Sequence, residues 1–195
     1  MAEIPDADTN QHEEDNHIIF SVEKRRIYIF REINRDATLE MQSLLDEFRE
    51  NDVAKKNDRP VTLILNTDGG AAFQGLAIYD LLKSSGLKLI TIALGEVASA
   101  GVVIFLAGDQ RWMHKNAAIH FHSTALQFEK PQERLERFER DILQAEIRVI
   151  DDLYKKIYLS NSNLTAKKLR ELELTETCLT SDQALKLGLV HKIIG

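Results

Sequence analysis

The chain has 195 residues, 44% of them hydrophobic and 29% charged, a size and balance that suit one packed domain. Its net charge of −6 is uneven: Glu3, Asp6, Asp8, Glu13, Glu14 and Asp15 fall in residues 1–17, which hold no Lys or Arg, and the other 25 acids match the 25 bases of residues 18–195. A neutral body lacks the basic footprint of a nucleic-acid binder, no apolar run reaches the roughly 18 residues of a membrane span, and the acidic N-terminus has no secretory pattern. The single cysteine, Cys178, forbids an internal disulfide and fits a reducing compartment, so a cytoplasmic protein is expected.

Residues 1–17 are expected to be a disordered acidic tail, and residues 18–195 one folded domain. Residues 18–22 and 27–30 read as short strands. A helix is expected over 38–49, capped by Thr38, with Leu39, Leu44, Leu45 and Phe48 on its buried side, then a polar loop over 51–60. Residues 61–65 form an apolar run of β-formers that ends in the turn sequence Asn66-Thr67-Asp68-Gly69-Gly70. The pattern then repeats. A helix is expected over 73–83, a buried strand over 88–94, an all-apolar internal helix within 98–107, and short strands over 111–113 and 117–122. Strands alternating with helices predict βαβ units and a mainly parallel sheet, an α/β fold.

Pro131 is well placed to open a long helix reaching about residue 159. Its apolar residues Leu135, Phe138, Ile142, Ala145 and Val149 shift register to Ile150, Leu153 and Ile157. It is either a solvated surface helix or one that protrudes and packs on another subunit. Helices follow from Thr165 and from Ser181, where Thr180 and Gln183 have the capping-box spacing, and Gly188 stops the second before a last strand over 189–194.

Chemistry concentrates at two strand-to-helix junctions, Asp68-Gly69-Gly70 and Ala98-Ser99-Ala100-Gly101. The carboxyl ends of strands in such sheets face ligands, and helix N-termini there present unpaired N–H groups. Ser99 reads either as a helix N-cap or as a nucleophile, with the amides of Gly70 and Ala100 facing one oxyanion. On the strand over 117–122, alternation puts Ile119 and Phe121 on one face and His120 and His122 on the other. The two imidazoles are either half a metal site, for which no companion ligand motif stands near in sequence, or the source of a base for Ser99. His114 and His191 read as structural or exposed.

Residues 66–122 resemble the proteolytic subunit of the Clp protease, the ClpP family. Asn66-Thr67-Asp68-Gly69-Gly70 stands where that family has Asn-Ser-Pro-Gly-Gly, Gly75-Leu76-Ala77-Ile78-Tyr79-Asp80 matches its Gly-x-Ala-Ile-Tyr-Asp, and Ala98-Ser99-Ala100-Gly101-Val102 matches Ala-Ser-Met-Gly-Ala. An ungapped match from Arg111 places His122, not His120, on the family's histidine, and Ala184 to Val190 is similar to its Ala-x-x-x-Gly-Leu-Val ending.

The resemblance implies the ClpP/crotonase-like βα superhelix with a long protruding handle helix. It also implies a serine endopeptidase that cleaves peptides and unfolded proteins inside stacked rings, with Ser99, His122 and Glu176 as triad and Gly70 and Ala100 as oxyanion donors. No metal or cofactor is implied in the subunit itself. ATP would be used by a partner ring unfoldase, and homo-oligomeric assembly is expected. Several positions depart from the pattern: Glu176 replaces Asp, Asp68 replaces Pro, and Ser123-Thr124 follow His122 in place of Gln-Pro. Two other functions stand beside the peptidase: an inactive ring subunit that assembles with an active paralogue, and a crotonase-type acyl-CoA enzyme.

Overall fold

A computed structural model describes residues 18–55, 57–123 and 137–195. The acidic tail and the helix start expected at Pro131 lie outside these residues. In chain order the elements are β1 (Ile19–Ser21), β2 (Arg26–Ile29), α1 (Arg35–Lys55), β3 (Val61–Thr67), α2 (Ala72–Ser84), β4 (Leu89–Ala98), α3 (Ala100–Phe105), β5 (Gln110–His114), β6 (Ala118–His120), α4 (Arg137–Ser160), α5 (Ala166–Leu174), β7 (Cys178–Thr180), α6 (Ser181–Lys186) and β8 (Lys192–Ile194). Strands β2, β3, β4, β5 and β8 pair in parallel in that order, and β1 adds an antiparallel edge.

Burial explains the order. Alternation along β3 sends Val61, Leu63 and Leu65 into the core, and Ile27 and Ile29 of β2 are equally buried beside them. Every residue of α3 is buried, as an all-apolar helix requires. Its Phe105 carbonyl accepts a hydrogen bond from buried Thr91 Oγ1 at 2.7 Å. Arg111 of β5 ties the C-terminal half to the sheet: its guanidinium donates to the carbonyls of Gly108, Asn161, Gly188 and Leu189. Desolvation lowers its pKa, yet four carbonyl partners satisfy the buried cation.

Several expectations need correction. Helix α1 begins three residues before Thr38 and runs through the first part of the segment expected to be a loop; Asn34 Oδ1 accepts from the Ala37 N–H and takes the capping role. Leu39 is 60% exposed rather than buried, because Ala37, Met41, Leu44, Leu45 and Phe48 carry the inward face. On α4 the inward residues are Ile150, Tyr154 and Tyr158, whereas Ile142, Val149 and Leu153 form an exposed apolar stripe on the protomer. The capping box of Thr180 and Gln183 is present as expected. The short strand β7 was not foreseen.

One irregularity places the site. Strand β3 pairs regularly with β4 through Leu65↔Ala93, and the next partners are Thr67↔Val97, so β4 gains extra residues there. Gly95 sits in this bulge at φ +67°, and Asn66 Oδ1 accepts the Glu96 N–H at 3.1 Å. Past the bulge β4 leaves β5 and pairs with β6 instead, Glu96↔Ala118 through Ala98↔His120. The strand that ends at Ser99 is thereby laid alongside the strand that leads to His122.

Candidate active site

Ser99 lies between β4 and α3 with φ 52° and ψ −122°, a conformation that a non-glycine residue adopts only under constraint. Its hydroxyl makes no cap hydrogen bond to α3, so the N-cap reading is not what holds it. Two contacts impose the geometry. The Ser99 N–H donates to the His120 carbonyl at 3.3 Å, and the Ser99 carbonyl accepts from Val102. Fully buried α3 anchors the other side.

The Gly69-Gly70 turn packs directly on this serine. Gly69 has φ +99°, and a Cβ there would stand 2.7 Å from Ser99 Cβ and 3.1 Å from the Ala100 nitrogen. The turn is pinned by Ile33, whose N–H donates to the Gly69 carbonyl and whose carbonyl accepts from Ala71, both at 2.7 Å. That bridge leaves the Gly70 N–H unused, and the first N–H groups of α3, beginning at Ala100, have no partner within the helix. Gly70 lines the same cavity as Ser99, and Ala100 follows the serine in the chain.

Ile119 and Phe121 are buried, whereas His120 and His122 are half-buried on the opposite face. The two rings meet edge to face, 5.9 Å between centroids. Their partners differ. His120 Nδ1 lies 3.0 Å from Glu96 Oε1, a carboxylate–imidazole pair that sequence reasoning missed because it depends on the β4 bulge. His122 Nδ1 lies 2.8 Å from the Ser123 carbonyl. A carbonyl only accepts, so Nδ1 is the donor, and in the neutral form of the ring Nε2 is the nitrogen left with a lone pair. Among the described residues no three His, Cys, Asp or Glu side chains are grouped to hold a metal ion.

Ser99, His122 and Gly70 line one cavity of about 550 Å³. Glu176 does not: it is exposed, in a left-handed turn at φ 46° after α5, and its N–H donates to the Glu173 carbonyl. The carboxylate that lines the cavity from α5 is Glu173, three residues earlier. Burial raises the Glu173 pKa first and Asp151 adds to it, while Arg170 and Lys155 pull it down. Its signal in the sequence was its place beside Leu172 on the inward side of α5. Tyr154 and Tyr158 close the floor, with the Tyr154 hydroxyl donating to the Ala72 carbonyl at 3.0 Å. Burial pushes both phenols up.

Comparison with known proteins decides the family: the Clp protease model matches residues 10–195. This chain belongs to the Clp protease family. Among curated members of the Clp protease family, it is 28% identical over 144 residues to ATP-dependent Clp protease proteolytic subunit 2 of Pseudomonas aeruginosa, spanning 73% of this chain and 69% of that one. It is 29% identical over 140 residues to the ATP-dependent Clp protease proteolytic subunit of Deinococcus radiodurans, spanning 70% of this chain and 66% of the relative. The fold matches ClpP1 of Listeria monocytogenes: a point mutant of that protein superposes with a TM-score of 0.76 at 22% identity, covering 89% of this chain and 92% of that one. Another ClpP1 structure from the same organism gives 0.66 over the same shares. The ClpP fold expected from the motifs is the fold found.

Proposed function

We propose that this Clp-family chain is a serine endopeptidase with Ser99 as nucleophile and His122 as base. The observation that carries the reading is the strained, uncapped Ser99 sharing one cavity with His122 and Gly70. Ser99 Oγ attacks the scissile carbonyl carbon while its proton passes to His122 Nε2. The Gly70 and Ala100 amides receive the oxyanion. The C–N bond then breaks, the amine leaves with the proton from Nε2, and water cleaves the Ser99 ester by the reverse roles.

In this arrangement the Ser123 carbonyl does what a triad carboxylate does for orientation: it fixes the Nδ1–H tautomer. Glu176, the third member implied by the motifs, would have to move into the cavity to reach His122. The exposed Ile142, Val149 and Leu153 stripe fits α4 as a handle covered by a second copy in stacked rings. Substrates would then be peptides or unfolded proteins admitted to an enclosed chamber, with ATP spent by a partner unfoldase in the cytoplasm.

A serine-directed fluorophosphonate tests the chemistry. Adduct mapping is expected to find Ser99, with no label in Ser99→Ala and a rate at least about 100-fold lower in His122→Ala. No adduct on folded, assembled protein overturns the peptidase assignment and favours an inactive subunit that assembles with an active paralogue.

A further inference from the structure

Ser99 and His122 arrive on different strands, so some contact must set one against the other. Strand β4 delivers Ser99, whereas β6 ends at His120, two residues before His122. The hydrogen bond from His122 Nδ1 to the Ser123 carbonyl joins adjacent residues, and Ser123 is exposed. It selects the tautomer, yet it travels with His122 and does not by itself aim the ring.

His120 has contacts that can. Its carbonyl accepts the Ser99 N–H at 3.3 Å. Its Nδ1 lies 3.0 Å from Glu96 Oε1, and Glu96 stands on β4 three residues before Ser99. A carboxylate only accepts, so Nδ1 donates whether the His120 ring is neutral or charged. That ring meets His122 edge to face, with 69° between the planes. The backbone beneath it is held on both edges, by Ala98 of β4 and by Cys178 of β7. One residue thereby touches both Ser99 and His122, and a carboxylate from the serine's own strand holds its ring. The His120 and Glu96 side chains are 31% and 43% exposed, so their pairing adds little stability. Its consequence is geometric.

We infer that His120, clamped by Glu96, is a positioning residue whose ring restricts the His122 imidazole to the orientation from which it serves Ser99. The inference rests on the peptidase reading above. Misplacing a reacting group by about 1 Å costs about 100-fold in rate, and a ring that keeps its Ser123 hydrogen bond loses less than that.

Fluorophosphonate labelling of Ser99, paired with peptide hydrolysis, tests the clamp. Glu96→Ala and His120→Ala are each expected to slow labelling about tenfold and to lower kcat with KM held within about twofold. Glu96→Gln keeps an oxygen for the Nδ1–H and stays within about threefold of the parent. The double variant Glu96→Ala/His120→Ala is no slower than His120→Ala, because both changes act through one ring. In His122→Ala protein, adding His120→Ala has no further effect. Parental rates in both single variants, or a loss from His120→Ala that is equally large without His122, overturn the inference. Circular dichroism reports the fold, and Glu96→Ala, which trims a part-exposed side chain, carries the test if His120→Ala does not fold. A parent chain that takes no label removes the peptidase reading, and the clamp is then read by NMR of isotope-labelled histidine. The His122 ring signals, assigned from the His122→Ala spectrum, are expected to broaden and move in Glu96→Ala and to stay sharp in Glu96→Gln. Sharp, unmoved signals in Glu96→Ala overturn the clamp itself.

Discussion

The two halves of the candidate site are built differently. The half that holds the proposed nucleophile, Gly69-Gly70 and Ser99-Ala100, is locked: Ile33 brackets the glycine turn on one side and the wholly buried α3 holds the serine on the other. The half that holds the proposed base, His122-Ser123 and the end of α5, lies at the half-exposed margin, held by single hydrogen bonds to backbone carbonyls. The difference teaches where each requirement is met. A strained nucleophile needs a core to enforce it, and this protomer supplies one. A base needs only a lone pair at the right place and a partner for its other nitrogen, which a nearby carbonyl provides.

The sharpest way to break the contrast is to disturb the locked half. Gly69→Ala places a Cβ 2.7 Å from Ser99 Cβ and 2.9 Å from the Ala98 carbonyl, at a φ that L residues rarely adopt. The strain costs about 1–3 kcal/mol, and displacing the serine costs about 100-fold in fluorophosphonate labelling. Urea midpoints and labelling rates measured on the same protein check both. Wild-type labelling in that variant would show that the Gly69–Ser99 packing does not set the nucleophile.

The locked half was also the legible half. The Asn66 to Gly70 turn and the small residues around Ser99 are local patterns, and each appears where the sequence put it; of the margin half only the alternation that puts His120 and His122 on one face was as legible. The illegible features depend on partners distant in sequence. The β4 bulge, which joins Glu96 to His120 and steers β4 onto β6, follows from how β3 and β4 register. Leu39 fits a helical stripe in sequence, but the neighbours of α1 select Ala37 and Met41 instead. Motif spacing places Glu176 on the acid position, whereas the left-handed turn after α5 carries it to the surface and leaves Glu173 facing the cavity.

Glu176→Ala measures the margin half directly. An exposed carboxylate outside the cavity contributes little, so labelling of Ser99 is expected to stay within about threefold of the unsubstituted chain. A loss of about 100-fold or more would return Glu176 to the triad and require the turn after α5 to rearrange when subunits assemble. Measuring the variant both as isolated protomers and as the largest species seen by light scattering tells these cases apart.

The smallest effect expected is a pH-dependent one at Glu173. Burial and the neighbouring Asp151 raise its pKa in the folded chain, so the native state holds this proton more tightly than the unfolded state does. Below the ordinary Glu range both states are protonated and the residue is neutral toward stability. As pH rises through that range toward the raised folded value, the unfolded chain releases its proton first and native stability falls. Glu173→Gln removes the ionisation, so the variant gains melting temperature over the parent at about pH 7.5 but not at about pH 4. The side chain is only half-buried, so solvent screens it, and Arg170 and Lys155 offset part of the shift, which limits the gain to about one degree. A gain of the same size at both pH values would trace it to packing instead. A melting temperature lowered at neutral pH would mean that the ionised Glu173 is a stabilising partner of those two cations, and the margin of the site would then be held by charge as well as by backbone.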